Sequence, residues 1–199
     1  VPETFYDALY YHLGLPAHAL RDGTLSVRPH VVHSAFPASL GLLFGGMSAG
    51  GGALSAKLVN ALFLPLAGLS ARAIVRAVKE PGDPPDPWRH RCDALAVSVV
   101  ITVPGCMVMS TVTSIDLALM FLGGMAVLGF LRAAHSPDWR WLVVSGVAAG
   151  LSVGSKYTGL YLLALIALFL VLGSLRQQHL QFGNALRKPA VFSAIALFL

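Results

Sequence analysis

The chain has 199 residues, 56% of them hydrophobic and 12% charged, with a net charge of +5 and a mean hydropathy of +0.71. A soluble domain carries about 25% charged residues, so this chain cannot coat a globule of its size with ionic groups. That excludes a soluble cytosolic enzyme, a disordered tail and a nucleic-acid-binding module, and leaves an all-α, polytopic bundle of transmembrane helices.

Residues 1–37 are polar by the standard of this chain. They hold Glu3, Asp7, Arg21, Asp22 and Arg28, with His12, His18, His30 and His33. Phe5, Leu9, His12, Leu13 and Pro16 recur at helical spacing, which predicts a short helix on the membrane surface followed by a turn-rich loop. Residues 38–53 are apolar but glycine-rich and short, as expected of a re-entrant or interfacial helix. A span is predicted over 54–77, with Arg72, Arg76 and Lys79 at its far end.

The stretch 79–92 is dense in proline and charge, so it breaks the helical pattern. The next span covers 93–110, kinked at Pro104, with Cys92 and Cys106 on one helix roughly 21 Å apart, too far for a disulfide. A further span covers 114–131 and ends at Arg132. Residues 141–155 rise again, Lys156 interrupts, and 157–175 descend. Residues 176–188 form a basic amphipathic loop, and 189–199 open a truncated span. With no initiator Met and an apolar run at residue 199, the chain is expected to be a piece of a longer protein.

Orientation follows from the Lys/Arg bias. Arg72, Arg76, Lys79, Arg89, Arg91, Arg132, Arg140, Arg176, Arg187 and Lys188 fall on one side; Arg21, Arg28, Lys57 and Lys156 fall on the other. The ten-to-four split puts residues 1–37 on the outer face of a plasma membrane, expected to be a bacterial inner membrane.

Three charges share one depth. Lys57 lies 15 residues from Arg72, Asp116 lies 16 from Arg132, and Lys156 lies 16 from Arg140. Each pair spans roughly 22–24 Å along a helix, less than the ~30 Å hydrocarbon core. The outer three therefore sit just below the outer surface, where charges usually face a cavity. Two cations and a carboxylate there suit an anionic ligand embedded in the membrane, such as a lipid-linked phosphate. The competing readings are an Asp116–Lys156 pair that ties two helices together, and lysines that snorkel to the interface.

Four segments carry a resemblance: FYDALYYHLGLPAHALRDGTL at 5–25, HSAFP at 33–37, SIDLALMF at 114–121 and GLSVGSKYTGLYLL at 150–163. In this order and spacing they resemble the bacterial polyprenyl-phosphate-dependent glycosyltransferases of the C-type fold, relatives of the protein O-mannosyltransferases and the aminoarabinose transferases. The resemblance implies a cell-envelope enzyme. It would move a hexosyl or pentosyl group, with inversion, from a lipid-linked sugar donor to the hydroxyl or amine of a glycan, lipid or protein acceptor.

It implies Asp7 as the general base that deprotonates the acceptor. Lys156 and Tyr157 are implied at the donor phosphate, where Lys156 or a bound divalent metal ion would stabilise the departing charge. Asp116 is an acidic residue for that metal or a structural partner, and His12, His33 and Ser34 are further site candidates. On an ideal α-helix His12 stands about 140° from Asp7. No H-x-x-x-H or tight acidic–His pair marks a metal site in the loop. Between Asp22 and Glu80 there is no Asp or Glu, a departure from the family's second external carboxylate. Later spans, which in relatives help bind the acceptor, are absent, so the fragment alone is expected to be inactive. The alternative is a transporter or flippase for a lipid-linked glycan, which needs the cavity but no base.

Overall fold

Inside a bilayer every backbone N–H and C=O must find a partner within the protein, and a helix satisfies this within its own segment. The structure, a computed structural model, describes residues 3–78, 87–136, 138–176 and 187–198; most of the predicted loops 79–92 and 176–188 lies outside these residues. Among the described residues the chain is helical with no strand, an all-α fold.

After a π-helical turn, Ala8–His12, the elements are α1 (Gly14–Asp22), a short 3-10 turn (Val32–Ala35), α2 (Ser39–Ala77), α3 (Arg89–Thr102), α4 (Pro104–Ser110), α5 (Asp116–His135), α6 (Arg140–Val153), α7 (Gly159–Arg176) and α8 (Arg187–Leu197). By length and composition α2 and α5 can each cross a membrane, and α3 with α4 make a third span if the bent pair counts as one. Helix α6 and residues 159–174 of α7 are shorter apolar helices.

Two breaks shape this bundle. Helix α2 is interrupted at Gly52, whose φ of 74° and ψ of 177° lie outside the helical region and suit a residue without a Cβ. The glycine-rich stretch predicted over 38–53 therefore runs into the following span through one non-helical residue. Ser55 answers the disruption, since its Oγ lies 2.5 Å from the Met47 carbonyl oxygen and 2.7 Å from that of Gly52. The second break lies at Val103, where α3 and α4 meet at 61°. A residue that precedes proline is pushed out of the α region, and Val103 is extended, at φ −60° and ψ 121°. Buried Asn60 of α2 closes the far end of α4, donating from Nδ2 to the carbonyls of Met109 at 2.7 Å and Val112 at 2.6 Å. The bend corrects one expectation: Cys92 lies on α3 and Cys106 on α4, not on one helix, and both are free.

Two apolar clusters hold the helices together. One joins α5, α6, α7 and α8 through Ala126, Leu142, Ile166 and Phe192; the other joins α2 to α5 through Phe44, Ala56, Ala118 and Leu122. Close approach of α5 to α6 depends on Gly129. A Cβ there would fall 2.7 Å from both the Ser145 amide nitrogen and the Trp141 carbonyl oxygen. Ser145 adds a buried cross-helix bond, donating to the Ala126 carbonyl at 2.7 Å. Small residues let membrane helices touch in this way.

Gly129→Val is therefore expected to force α5 and α6 apart and to lower stability by roughly 1–3 kcal/mol, the usual range for overpacking. Thermal unfolding of the detergent-solubilised protein measures this; an unchanged midpoint would contradict the packing argument.

Candidate functional site

Three segments distant in sequence meet at one end of the bundle. They are residues 3–38, the 111–116 turn that leads into α5, and the 154–158 turn between α6 and α7. Backbone and side-chain hydrogen bonds join them. The Ser39 amide donates to the Gly154 carbonyl at 2.9 Å, the Tyr157 hydroxyl donates to the Ala35 carbonyl at 3.0 Å, and the Thr113 amide donates to Glu3 Oε2 at 3.0 Å.

Glu3 is the clasp of this arrangement. Its side chain is 3% exposed. Oε1 accepts from the amides of Thr4 and Phe5, both at 3.0 Å, and Oε2 lies 3.5 Å from Lys57 Nζ. Burial pushes the Glu3 carboxyl up, but the Phe5 and Thr113 amides and the Lys57 cation together hold it below its ordinary value. Lys57 is engaged with Glu3 and does not line the cavity described next. Nothing in the sequence pattern singled out Glu3. The usable signal was its place four residues before Asp7 in the one polar stretch.

Asp7 stands immediately before the π-helical turn, where the Leu13 amide donates to the Ala8 carbonyl, five residues back, at 2.8 Å. This wider turn replaces the ideal α-helix that set Asp7 and His12 about 140° apart. Single π turns often sit at functional sites. Asp7 is half-buried, and its charge acts on both Tyr11 and His12. His12 is 3% exposed. Burial pushes it down to about 4, against the pull of Asp116 and Asp7, while Lys156 and His33 push the same way as burial. Burial also drives the Tyr11 hydroxyl up to about 12, helped by Asp7 and Asp116. Both side chains are neutral at physiological pH.

In front of these residues lies a cavity of about 250 Å³, with Tyr11, His12, His33, Phe36, Ile115, Lys156, Tyr157 and Thr158 in its wall. Lys156 Nζ donates to Asp116 Oδ1 at 3.0 Å, and the Ser114 hydroxyl donates to Asp116 Oδ2 at 2.8 Å. The side chains of Lys156 and Asp116 are 42% and 50% exposed, so this ion pair is open to a ligand. Neither Asp7 nor Asp116 is among the lining residues; Asp7 acts electrostatically on Tyr11 and His12, which are.

The remaining candidates hold different places. His33 stacks on Tyr11, ring centroids 4.6 Å apart and planes 4° apart, and its edge meets Phe36. Its Nδ1 is buried without a hydrogen-bond partner among the described residues. Tyr157 packs its ring on Phe36, and its hydroxyl is committed to Ala35. Ser34 does not line this cavity; its Oγ accepts from the Arg28 amide at 2.7 Å and donates to the Val31 carbonyl at 2.6 Å, which shapes the loop. It borders a neighbouring cavity of about 270 Å³ that shares Leu15, His33, Phe36 and Ala38 with the first. Among the described residues no three His, Cys, Asp or Glu side chains are grouped so as to hold a metal ion.

The family model of the dolichyl-phosphate-mannose-protein mannosyltransferases matches residues 89–199, more than half of the chain. The chain belongs to this family. It is a membrane glycosyltransferase of the C type and an integral membrane protein. The matched region carries Asp116, Lys156 and Tyr157, while Asp7, His12 and His33 precede it. No curated protein and no solved structure matches the chain significantly.

Two outcomes follow from the electrostatics and from the clasp. His12 is neutral in the folded protein down to about pH 4, against an ordinary value of 6.5. Between these values the unfolded chain binds more protons, so the contribution is intact above pH 6.5 and is lost as pH falls towards 4. His12→Gln should remove a pH-dependent loss on the order of 3 kcal/mol. Unfolding midpoints of the two proteins across that window check this, and parallel curves would contradict it. Separately, Glu3→Ala should cost about 1–3 kcal/mol by leaving the Thr113 amide without its acceptor, and Glu3→Gln should cost less. Thermal unfolding that does not distinguish the three proteins would remove Glu3 from this role.

Proposed function

We propose that the cavity binds the phosphate end of a polyprenyl-phosphate sugar and that the chain transfers the sugar to an acceptor on the outer face of the membrane. The observation that carries this reading is half-exposed Lys156 in the cavity wall, ion-paired to Asp116 beside the cavity, with Asp7 acting on the wall residues Tyr11 and His12. Family membership supports a lipid-linked donor, since the name of the family itself specifies a lipid-phosphate sugar.

Charge decides the roles. Asp7 accepts the proton of the acceptor hydroxyl or amine as that atom attacks the anomeric carbon. The bond from the anomeric carbon to the phosphate oxygen breaks, its electron pair leaves with the lipid phosphate, and the anomeric centre inverts. Lys156 meets the negative charge that builds on the phosphate, a contact that strengthens towards the transition state. Asp116 holds the ammonium in place until the donor arrives. Neutral His12, which feels both Asp7 and Asp116, adds no competing cation to the site. The aromatic side chains of Tyr11, His33 and Phe36 in the cavity wall offer apolar surface to a sugar ring.

Asp7→Asn in the native-length protein should lower transfer by about 10²–10⁴-fold, and Lys156→Met should lower kcat by roughly 10²–10³-fold, both with folding intact. A transfer assay with a lipid-linked sugar, beside a measurement of donor binding, checks both. Wild-type turnover in Asp7→Asn would remove the base. Lipid-linked sugar that still binds and crosses the membrane with no transfer in the wild type would favour a flippase.

A further inference from the structure

The end of the bundle opposite the cavity holds a second polar opening, of about 300 Å³, between the last turns of α2 and α5 and the first turn of α6. Arg76, Arg132, His135, Ser136 and Trp141 are in its wall. The charges there do not balance among the described residues. Arg76 donates from Nε to Asp93 Oδ2 at 2.8 Å, and Arg72 Nε lies 3.7 Å from the same oxygen, so two guanidinium groups share one carboxylate. Arg132 lies over the Trp141 ring, 4.8 Å from its centroid, and forms no ion pair with a described carboxylate. Close by, Lys188 Nζ donates to the Ala133 carbonyl at 3.3 Å. Asp138, on the turn between α5 and α6, accepts from the Arg140 amide at 3.0 Å, a helix-start contact.

Place and chemistry together point to a ligand. Stacking on the indole covers one face of the Arg132 guanidinium and leaves its N–H edge available, the geometry that receives a phosphate through two parallel bonds. Trp141 beside it is the residue type that settles at the level of lipid headgroups. The opening lies at the end of α5, an apolar helix long enough to cross a membrane, so its mouth is level with the headgroup region. Leu69, about two helical turns before Arg76 on α2, is exposed and apolar. Basic pockets between membrane helices take anionic headgroups on these grounds.

We propose that this opening is a binding site for the phosphate headgroup of an anionic phospholipid, with Arg132 as its main contact and Arg76 and His135 beside it. The site is independent of the sugar-transfer reading and stands at the other membrane surface from the donor cavity.

The test uses the native-length protein in nanodiscs of phosphatidylcholine with a minor share of phosphatidylglycerol, and native mass spectrometry to count the retained anionic lipid. Wild type should retain phosphatidylglycerol over phosphatidylcholine, and Arg132→Gln should lower that preference about tenfold. Arg91→Gln is the control: Arg91 also stacks on a tryptophan, Trp88, 4.5 Å from its centroid, but lies outside the opening. It should leave the preference unchanged. If Arg132→Gln fails to fold, Arg132→Lys keeps the charge, loses the flat fork, and should show a partial loss. No preference in wild type, or equal losses in the Arg91 and Arg132 variants, overturns the site. A separate arm adds inorganic phosphate without lipid exchange. Displacement of phosphatidylglycerol only at high phosphate supports a lipid site, whereas stabilisation by dilute phosphate equal to that by the lipid assigns the opening to free phosphate and overturns the proposal.

Discussion

The contact between Lys156 and Asp116 ties the turn between α6 and α7 to the head of α5. A cation and a carboxylate near the edge of a hydrocarbon layer are costly unless each finds a partner or water. Here each finds the other at 3.0 Å, and about half of each side chain stays exposed. That balance matters chemically. A fully buried pair would be a fixed strut, and breaking it would leave an uncompensated charge. A half-exposed pair stays in touch with solvent, so Lys156 can turn to a second anion. Lys156 of this pair stands in the cavity wall, and both charges act on His12.

The same requirement explains why the ionic groups collect at two ends. At one end Glu3 takes Lys57, and Asp116 takes Lys156. At the other, Asp93 serves both Arg72 and Arg76. Between them the helices meet through alanine, glycine, serine and leucine. Side chains supply partners at two places where regular helix stops: Ser55 at the Gly52 break, and Asn60 at the end of α4.

Much of the fold could be read from the chain. Charge scarcity and the length of the apolar runs indicate an all-α membrane bundle, because lipid admits few other arrangements of backbone polar groups. The break at Val103 follows from Pro104. The matched depth of Asp116 and Lys156 follows from helical rise counted from Arg132 and Arg140, and the same count offered their ion pair as one reading. Other details resisted such arithmetic. The rule of 3.6 residues per turn separated Asp7 from His12, but the turn between them is π-helical. Depth alone grouped Lys57 with the other two charges, and only contact shows that Glu3 occupies it. Ser34 looked chemical beside His33, yet it closes a loop on Arg28 and Val31.

What the sequence by itself determined is therefore what short range and solvent govern: that the chain is helical, that it belongs in a membrane, and that it breaks before Pro104. Family membership rests there too, on residues 89–199. Tertiary structure decided which groups at a common depth meet. It selected Glu3 for Lys57, brought His33 flat against Tyr11, and turned the walls of the two openings to face their interiors. Partner choice depends on helix rotation and close approach, and these are set by packing at positions such as Gly129, which lie far along the chain from the charges they bring together.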